Sequence, residues 1–333
     1  MLLPVLRSPR VFSTILYIIT GFSLPIHLFG GYCILFKTPV IMKSVKWSLF
    51  NLHFWSAALD LTISFFAQPF ICTPALAGYA MGFLPWLGVN MYVLVYIGIT
   101  LFIFVPVSII GMLENRYFQI FAQQSQWRYF RYPFLFINYL WAILYCVPVI
   151  LDIPNQEYAR IEVFHEYPQI FDYESVESKI FVITLDFTRT ALQQSIFTVL
   201  VLEEAFAFVG LIRVNMNKVM KEVHSSLSKH TVHMHKAFIK ALNLQIAIPL
   251  IILFAPTIIG VLFRTIISNH QGFNNVVYIC SSLHGVLSTL IMIYLQNPYR
   301  AVVKRIFCQS SQGSHNIVSN TKRRKPEGVV TFF

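Results

Sequence analysis

The chain has 333 residues, of which 56% are apolar and only 12% are charged, and its mean hydropathy is +0.63. A soluble domain carries about 25% charged residues, so these charges are too few to cover a soluble surface, and the bilayer must act as solvent. The net charge of +11 does not point to nucleic acid, because the basic residues sit in short segments between apolar stretches.

A spanning helix needs about 20 predominantly apolar residues. Seven stretches qualify in chain order: Val11–Phe36, Trp47–Ile71, Val89–Leu113, Pro133–Leu151, Thr190–Ile212, Ala241–Phe263 and Asn274–Leu295. The first is too long for the apolar core of a signal peptide and lacks a clean small-x-small cleavage site. The fifth is approached through Asp186, Arg189, Gln193 and Gln194, which leaves its start open.

Lys and Arg fix the orientation. Segments 37–46, 114–132, 213–240 and 300–333 hold 19 of them, against 5 in 1–10, 72–88, 152–179 and 264–273. Cytoplasmic loops carry the excess, so the N-terminus lies outside and the C-terminus inside. The expected fold is all-α: a seven-transmembrane bundle over residues 1–300, then a basic, largely disordered cytoplasmic tail over 301–333. Lys322–Lys325 in that tail can be read as a nuclear localisation signal or as a solvated stretch near anionic lipid. The sidedness favours the second.

Charged and kink-forming residues inside the apolar runs are the candidates for function. Asp60 is the fourteenth residue of its stretch, near mid-membrane, where a charge costs about 2.5–3.5 kcal/mol on insertion scales. It belongs either to a polar switching network or to a hydrogen-bonded structural site. His53, seven residues earlier, shares nearly the same helical face and can join it. Glu203 and Glu204 lie about a hundred degrees apart on the fifth helix, so one should enter the bundle and the other face the inner interface. Glu203 is taken as the member of the network. Pro249 and Pro256 share one face of the sixth helix and should bend it, as a hinge or as a static kink.

Two motifs mark inner helix ends. Glu114, Asn115, Arg116 and Tyr117 follow the apolar run of the third helix. An acid two residues before an Arg can hold that guanidinium in a local ion pair whose release makes a two-state element. Asn297, Pro298, Tyr299 and Arg300 close the seventh helix, where Pro removes a backbone hydrogen bond and Asn can satisfy freed groups. Beyond them the spacing Arg300–Cys308 fits a short amphipathic helix on the inner leaflet. Cys308 is a candidate S-palmitoylation site, or an inert thiol.

The second outside loop is the one acidic region, with Asp152, Glu157, Glu162, Glu166, Asp172, Glu174 and Glu177. It forms either a lid that attracts cations or a solvated loop. Of five cysteines, Cys33, Cys146 and Cys280 lie in apolar stretches as packing residues. No Asn-x-Ser/Thr sequon occurs. His230 and His233 can share a helical face among the lysines of the third inside loop, but no Cys or carboxylate cluster completes a metal site, and no nucleotide-binding or hydrolase motif appears. No cofactor is expected.

Seven helices of this orientation, with Glu114–Tyr117 closing the third and Asn297–Arg300 the seventh, look like a G-protein-coupled receptor. The blocks Pro25–Pro39, Met42–Leu49 and Asn51–Leu61, together with Leu113–Tyr117, Ile153–Gln156 and Asn297–Arg300, resemble the nematode serpentine receptors of class H. The resemblance runs over nearly the whole chain. It implies a chemosensory receptor in the plasma membrane, on the ciliary membrane of sensory neurons, with a small-molecule ligand, a heterotrimeric G protein and membrane lipid as partners and no nucleic acid.

In that family frame Glu114, Asn115 and Arg116 correspond to the third-helix switch. Asn297, Pro298 and Tyr299 correspond loosely to the seventh-helix motif of rhodopsin-like receptors, although here Tyr299 directly follows Pro298. The second outside loop has no Cys, so the usual clamp to the third helix is missing, with Cys72 nearby. The expected mechanism is a population shift. Ligand enters from outside among helices three, five, six and seven, the inner end of helix six moves, and Arg116 with the basic 213–240 loop meets the G protein. Two rivals remain. A seven-helix cation channel requires the opposite orientation. A membrane enzyme needs a His/Asp or His/Asn pair at one depth, and the partners of His27, His53 and His284 are not evident.

Overall fold

The structure is a computed structural model that describes residues 2–72, 74–176, 178–222, 251, 255, 258 and 271–306. The expected sixth helix over Ala241–Phe263, its Pro249 and Pro256, the rest of the third inside loop, and Cys308 with the tail lie outside the described residues.

Six of the expected spans are helical in the described residues, most with shifted ends. The first runs Pro9–Lys37, with Pro9 in the first turn, where its missing N–H costs nothing, and Pro39 just beyond the end. The orphan carbonyls of its last turn are taken up by side chains: Thr38 Oγ1 donates to Ile34 O, and Lys46 Nζ donates to Leu35 O at 2.7 Å. The third span, Met91–Tyr117 extended by a π turn over Phe118–Ala122, is the most deeply packed. The fourth, Trp127–Leu144, is peripheral, with little of its surface buried. The fifth runs Phe187–Glu222, so the first part of the expected third inside loop is helical. The seventh is two helices, Gln271–Ser281 and His284–Leu295.

The second span departs most from expectation. Its helix runs Lys43–Leu61, continues as a π turn over Thr62–Phe66, and stops short of Ile71. Gln68 then adopts φ +46, a left-handed conformation that costs a non-glycine residue about 1–2 kcal/mol. Its side chain holds the corner: Oε1 accepts from Ser13 Oγ at 2.7 Å and Nε2 donates to Ser64 O at 2.8 Å.

After that corner come three strands, outside the helical bundle, that the all-α expectation did not contain. β1 (Pro69–Cys72) and β2 (Leu76–Ala80) form a hairpin within the first outside loop. β3 (Phe181–Thr184), from the second outside loop, pairs with β2 to give the antiparallel order β1-β2-β3. Gly78 makes this sheet possible, because a Cβ there would lie 2.1 Å from Phe70 O.

Among the described residues two apolar cores result. The main one surrounds the third span from Ile103 to Leu113 and takes in Leu49, Leu59, Phe208, Met292 and Tyr299. The outer one buries Phe12, Phe70, Cys72, Val163, Ile170 and Val182 beneath the sheet. It holds the acidic loop without a disulfide, since Cys72 is a free thiol. The motif Ile153–Gln156 has a structural part in this layer. Asn155 Oδ1 caps the loop helix Gln156–Glu166 by accepting from Glu157 N and Tyr158 N. Gln156 docks on β3 in two directions, donating to Val182 O at 3.0 Å and accepting from Val182 N at 2.9 Å.

Candidate functional site

Asp60 stands on the second helix with no exposed surface, nearer the outer end than its position in the sequence stretch implies, because the helix stops at Phe66. Its partners come from two other spans. Oδ2 lies 3.2 Å from His27 Nε2 of the first span, and Oδ1 lies 2.6 Å from His284 Nδ1 of the seventh. The backbone N–H groups of Gly285 and Val286 donate to Oδ1 and Oδ2 at 3.2 and 2.9 Å.

These two amides belong to the first turn of His284–Leu295, where a helix dipole presents roughly +0.5 of a charge. The seventh span is thus broken at the depth of Asp60, and the carboxylate caps its second half. Gly285 is required at this contact, since a Cβ would meet Asp60 Oδ2 at 2.7 Å and Ser56 O at 2.9 Å.

His53 joins the network indirectly. Its Nε2 lies 2.9 Å from His27 O and its Nδ1 lies 3.2 Å from Thr289 Oγ1. Glu203 does not join. It is exposed on the fifth helix, and Glu204 is the half-buried member of the pair. The reason is register: Phe197, Val201, Ala205 and Phe208 form the packed face of that helix, and Glu203 falls off it.

At the inner end, the expected local pair between Glu114 and Arg116 is replaced by a link between helices. Glu114 is fully buried, and both of its oxygens are engaged by the fourth span. Trp127 Nε1 donates to Oε1 at 2.8 Å, and Arg131 Nη2 donates to Oε2 at 3.1 Å. Arg131 also donates to Asn115 Oδ1 at 3.2 Å and lies over the Phe118 ring at 3.9 Å. Asn115 Nδ2 in turn donates to Ser44 O and Ser48 Oγ of the second span. The guanidinium of Arg116 instead lies within electrostatic reach of the Tyr299 phenol. That phenol is buried and 2.7 Å from Thr38 Oγ1 of the first span. The Tyr117 ring packs at a tilt against Phe121 and Phe208.

The motif Asn297–Arg300 begins a new helix rather than loosening the end of the seventh. Gln296 is extended, with φ −92 and ψ 108, and residues 297–306 are helical beyond it. Pro298 sits in the first turn, Asn297 Oδ1 accepts from Arg300 Nη2 at 2.6 Å, and Tyr299, Val302 and Val303 face the core. This is the short amphipathic helix expected after the seventh span.

A family model described as "Serpentine type 7TM GPCR chemoreceptor Srh" matches residues 7–309. The chain belongs to the Srh family of serpentine chemoreceptors. Serpentine receptor class H-72 of Caenorhabditis elegans is 29% identical over 315 residues, which covers 88% of this chain and 85% of that one. Serpentine receptor class r-10 of Caenorhabditis briggsae is 34% identical over 110 residues, covering 32% of each. Squid rhodopsin superimposes with a TM-score of 0.56 at 14% identity, over 91% of this chain and 87% of that one. That likeness concerns the fold.

Within the Srh fold, three candidate residues were missed from sequence: His27, His284 and Arg131. The signal for the first two was present as histidines inside apolar stretches, and they supply the His/Asp pair at one depth that an enzyme would need. Asp60 is nonetheless closed off, with both oxygens doubly engaged by protein. It acts as a fastening among spans one, two and seven. Arg131 was counted only as a cytoplasmic-loop charge, because the fourth helix was expected to start at Pro133 and actually starts at Trp127.

Among the described residues, recesses open at two further places. One of about 270 Å³ opens between the outer ends of spans four and five, beside Asp152, Asp186 and Arg189, where Arg189 Nη1 pairs with Asp152 Oδ2 at 2.7 Å. The other, of about 540 Å³, lies between spans one and two.

Proposed function

We propose that this Srh protein is a chemosensory receptor of the plasma membrane, displayed on sensory cilia, that binds a small ligand and activates a heterotrimeric G protein. Residues 1–300 act as the receptor domain and 301–333 as its cytoplasmic tail. The observation that carries this reading is the polar chain across the inner end: Ser44 and Ser48, Asn115, Arg131 and Glu114 join spans two, three and four. Beside it, Tyr299 and Thr38 join the helix after the seventh span to the end of the first. Such links hold one packing of the inner face, and a ligand that binds another packing better shifts the population toward it.

In this reading Arg116 leaves the surroundings of Tyr299 when the inner face opens, and it then meets the G protein together with the basic segment from Arg213 onward. The Glu114–Arg131 pair is the restraint to be broken. Breaking it exposes a buried carboxylate and guanidinium, which is favourable only if solvent or a partner takes them up.

The test of this arrangement is sidedness. Tags placed separately on the two termini should be accessible to antibody at the N-terminus of intact cells, and at the C-terminus only after permeabilisation. An exposed C-terminus with a hidden N-terminus would place the proposed G-protein face outside the cell and return the inverted cation channel to first place.

A further inference from the structure

The larger recess lies on the outer flank of the bundle, in the seam between the first and second spans, and not under the sheet that covers the outer end. Its floor is His27, Gly31, His53, Ala57 and Ala58, and its walls include Leu28, Tyr32, Phe50 and Phe54. The depth comes from missing side chains. Gly31 has no Cβ, and one placed there would meet the His53 ring in ordinary contact, at 3.5 Å from Nε2 and 3.8 Å from Cδ2. Leu28 and Phe54 at the rim are more than half and half exposed, so the opening faces the hydrocarbon. About 540 Å³ with apolar walls and two histidines in the lining falls in the size range of a small-molecule site.

The polar groups of the floor define the ligand's head. Both nitrogens of His53 are engaged, by His27 O and Thr289 Oγ1. His27 spends Nε2 on Asp60, and its Nδ1 is buried without a hydrogen-bond partner in the structure. A hydroxyl suits that nitrogen in either tautomer, because it can donate to a lone pair or accept from an N–H. A carboxylate head would face the Asp60 carboxylate behind the ring, and an ammonium head would have to be desolvated in hydrocarbon.

The geometry points to this groove as the site of a membrane-partitioned apolar alcohol, which enters sideways from the bilayer. The inference rests on the receptor reading and deepens it. Because Nδ1 is covered, a hydroxyl reaches it only when the His27 ring turns, and turning the ring draws Nε2 away from Asp60. Ligand capture and loosening of the cap on the seventh span are then one event, which supplies the differential affinity that a population shift requires.

The test uses the full chain in phosphatidylcholine nanodiscs and a long-chain alkyl alcohol carrying a diazirine on its chain. After irradiation and digestion, label should concentrate on 24–36 and 50–61 and be competed by unlabelled alcohol but not by a fatty acid of equal length. The matching alkane probe, lacking the hydroxyl, should label about tenfold less, the equivalent of one hydrogen bond. Ala57→Leu with Ala58→Leu fills the floor and should remove the competed label. Gly31→Ala, with room for its methyl, serves as a milder second variant that should reduce it.

Uncompeted label spread evenly over the exposed faces of spans one, four and five would mean bulk-lipid contact only and overturn the site. Equal competition by the fatty acid would overturn the alcohol assignment. The labelling involves no G protein, so its failure leaves the receptor reading standing, and the absence of G-protein activation would leave the labelling result intact.

Discussion

His284 Nδ1 of the seventh span lies 2.6 Å from Asp60 Oδ1 of the second, at the point where the seventh span breaks and restarts. The carboxylate holds two imidazoles and two amides from the first turn of a new helix at once. The cost of burying it among apolar helices is offset by four polar partners at once. Asp60→Asn keeps the shape and one acceptor oxygen but leaves at least one of these partners unmatched. Its expected cost is about 1–3 kcal/mol, read as a lower melting temperature of the detergent-solubilised protein, with His284→Ala showing a similar loss.

Gly285→Ala should be worse tolerated than its single methyl suggests. The added Cβ meets a carboxylate oxygen at 2.7 Å and backbone at 2.9 Å, so the two spans must part. Cell-surface yield should fall sharply. Gly98→Ala, where nothing lies within 4 Å, should leave it near the wild-type level.

The six described spans were legible because apolar length is a one-dimensional property. The end of the second span was not. Phe70 and Ile71 continue its apolar run, and hydropathy does not distinguish a helix end from a buried strand. Asp60 announced itself as a charge in an apolar stretch. Its partner His27, 33 residues earlier, stood out as a histidine in an apolar stretch, but nothing local marks a histidine that will face a carboxylate on another helix. The ion pair of Glu114 was misassigned for a related reason. Arg116 is its neighbour in sequence, but it projects toward Tyr299, while Arg131 enters from a helix that begins earlier than its first long apolar run.

The outer layer predicts its own weak point. Gln156 replaces a missing strand partner for Val182, so Gln156→Ala leaves that amide and carbonyl unpaired. An unmatched buried backbone group costs about 1–3 kcal/mol. Hydrogen exchange at β3 should accelerate by about tenfold or more, while exchange in the third span stays unchanged.

Cys72 carries a pH signature outside the helical bundle. Burial pushes its thiol up from 9.0 to about 12, so the folded protein retains a proton that the unfolded chain releases. The associated stability is complete below pH 9.0 and is lost as pH rises toward about 12. Iodoacetamide at pH 8 should therefore leave Cys72 unmodified in the folded receptor and modify it after denaturation. Reducing agent should not change the melting temperature, because the thiol is free.

The account stands or falls on the inner face, and guanine-nucleotide exchange by purified receptor with a panel of heterotrimeric G proteins tests it most directly. Arg131→Ala, which removes the restraint on Glu114, should raise ligand-independent exchange about fivefold or more, the scale of a coupling worth about 1 kcal/mol or more. Arg116→Ala should abolish exchange in both the wild-type and Arg131→Ala backgrounds while leaving surface expression intact. Exchange that is unchanged by Arg131→Ala and survives Arg116→Ala, with every variant folded and its N-terminus outside, would contradict it.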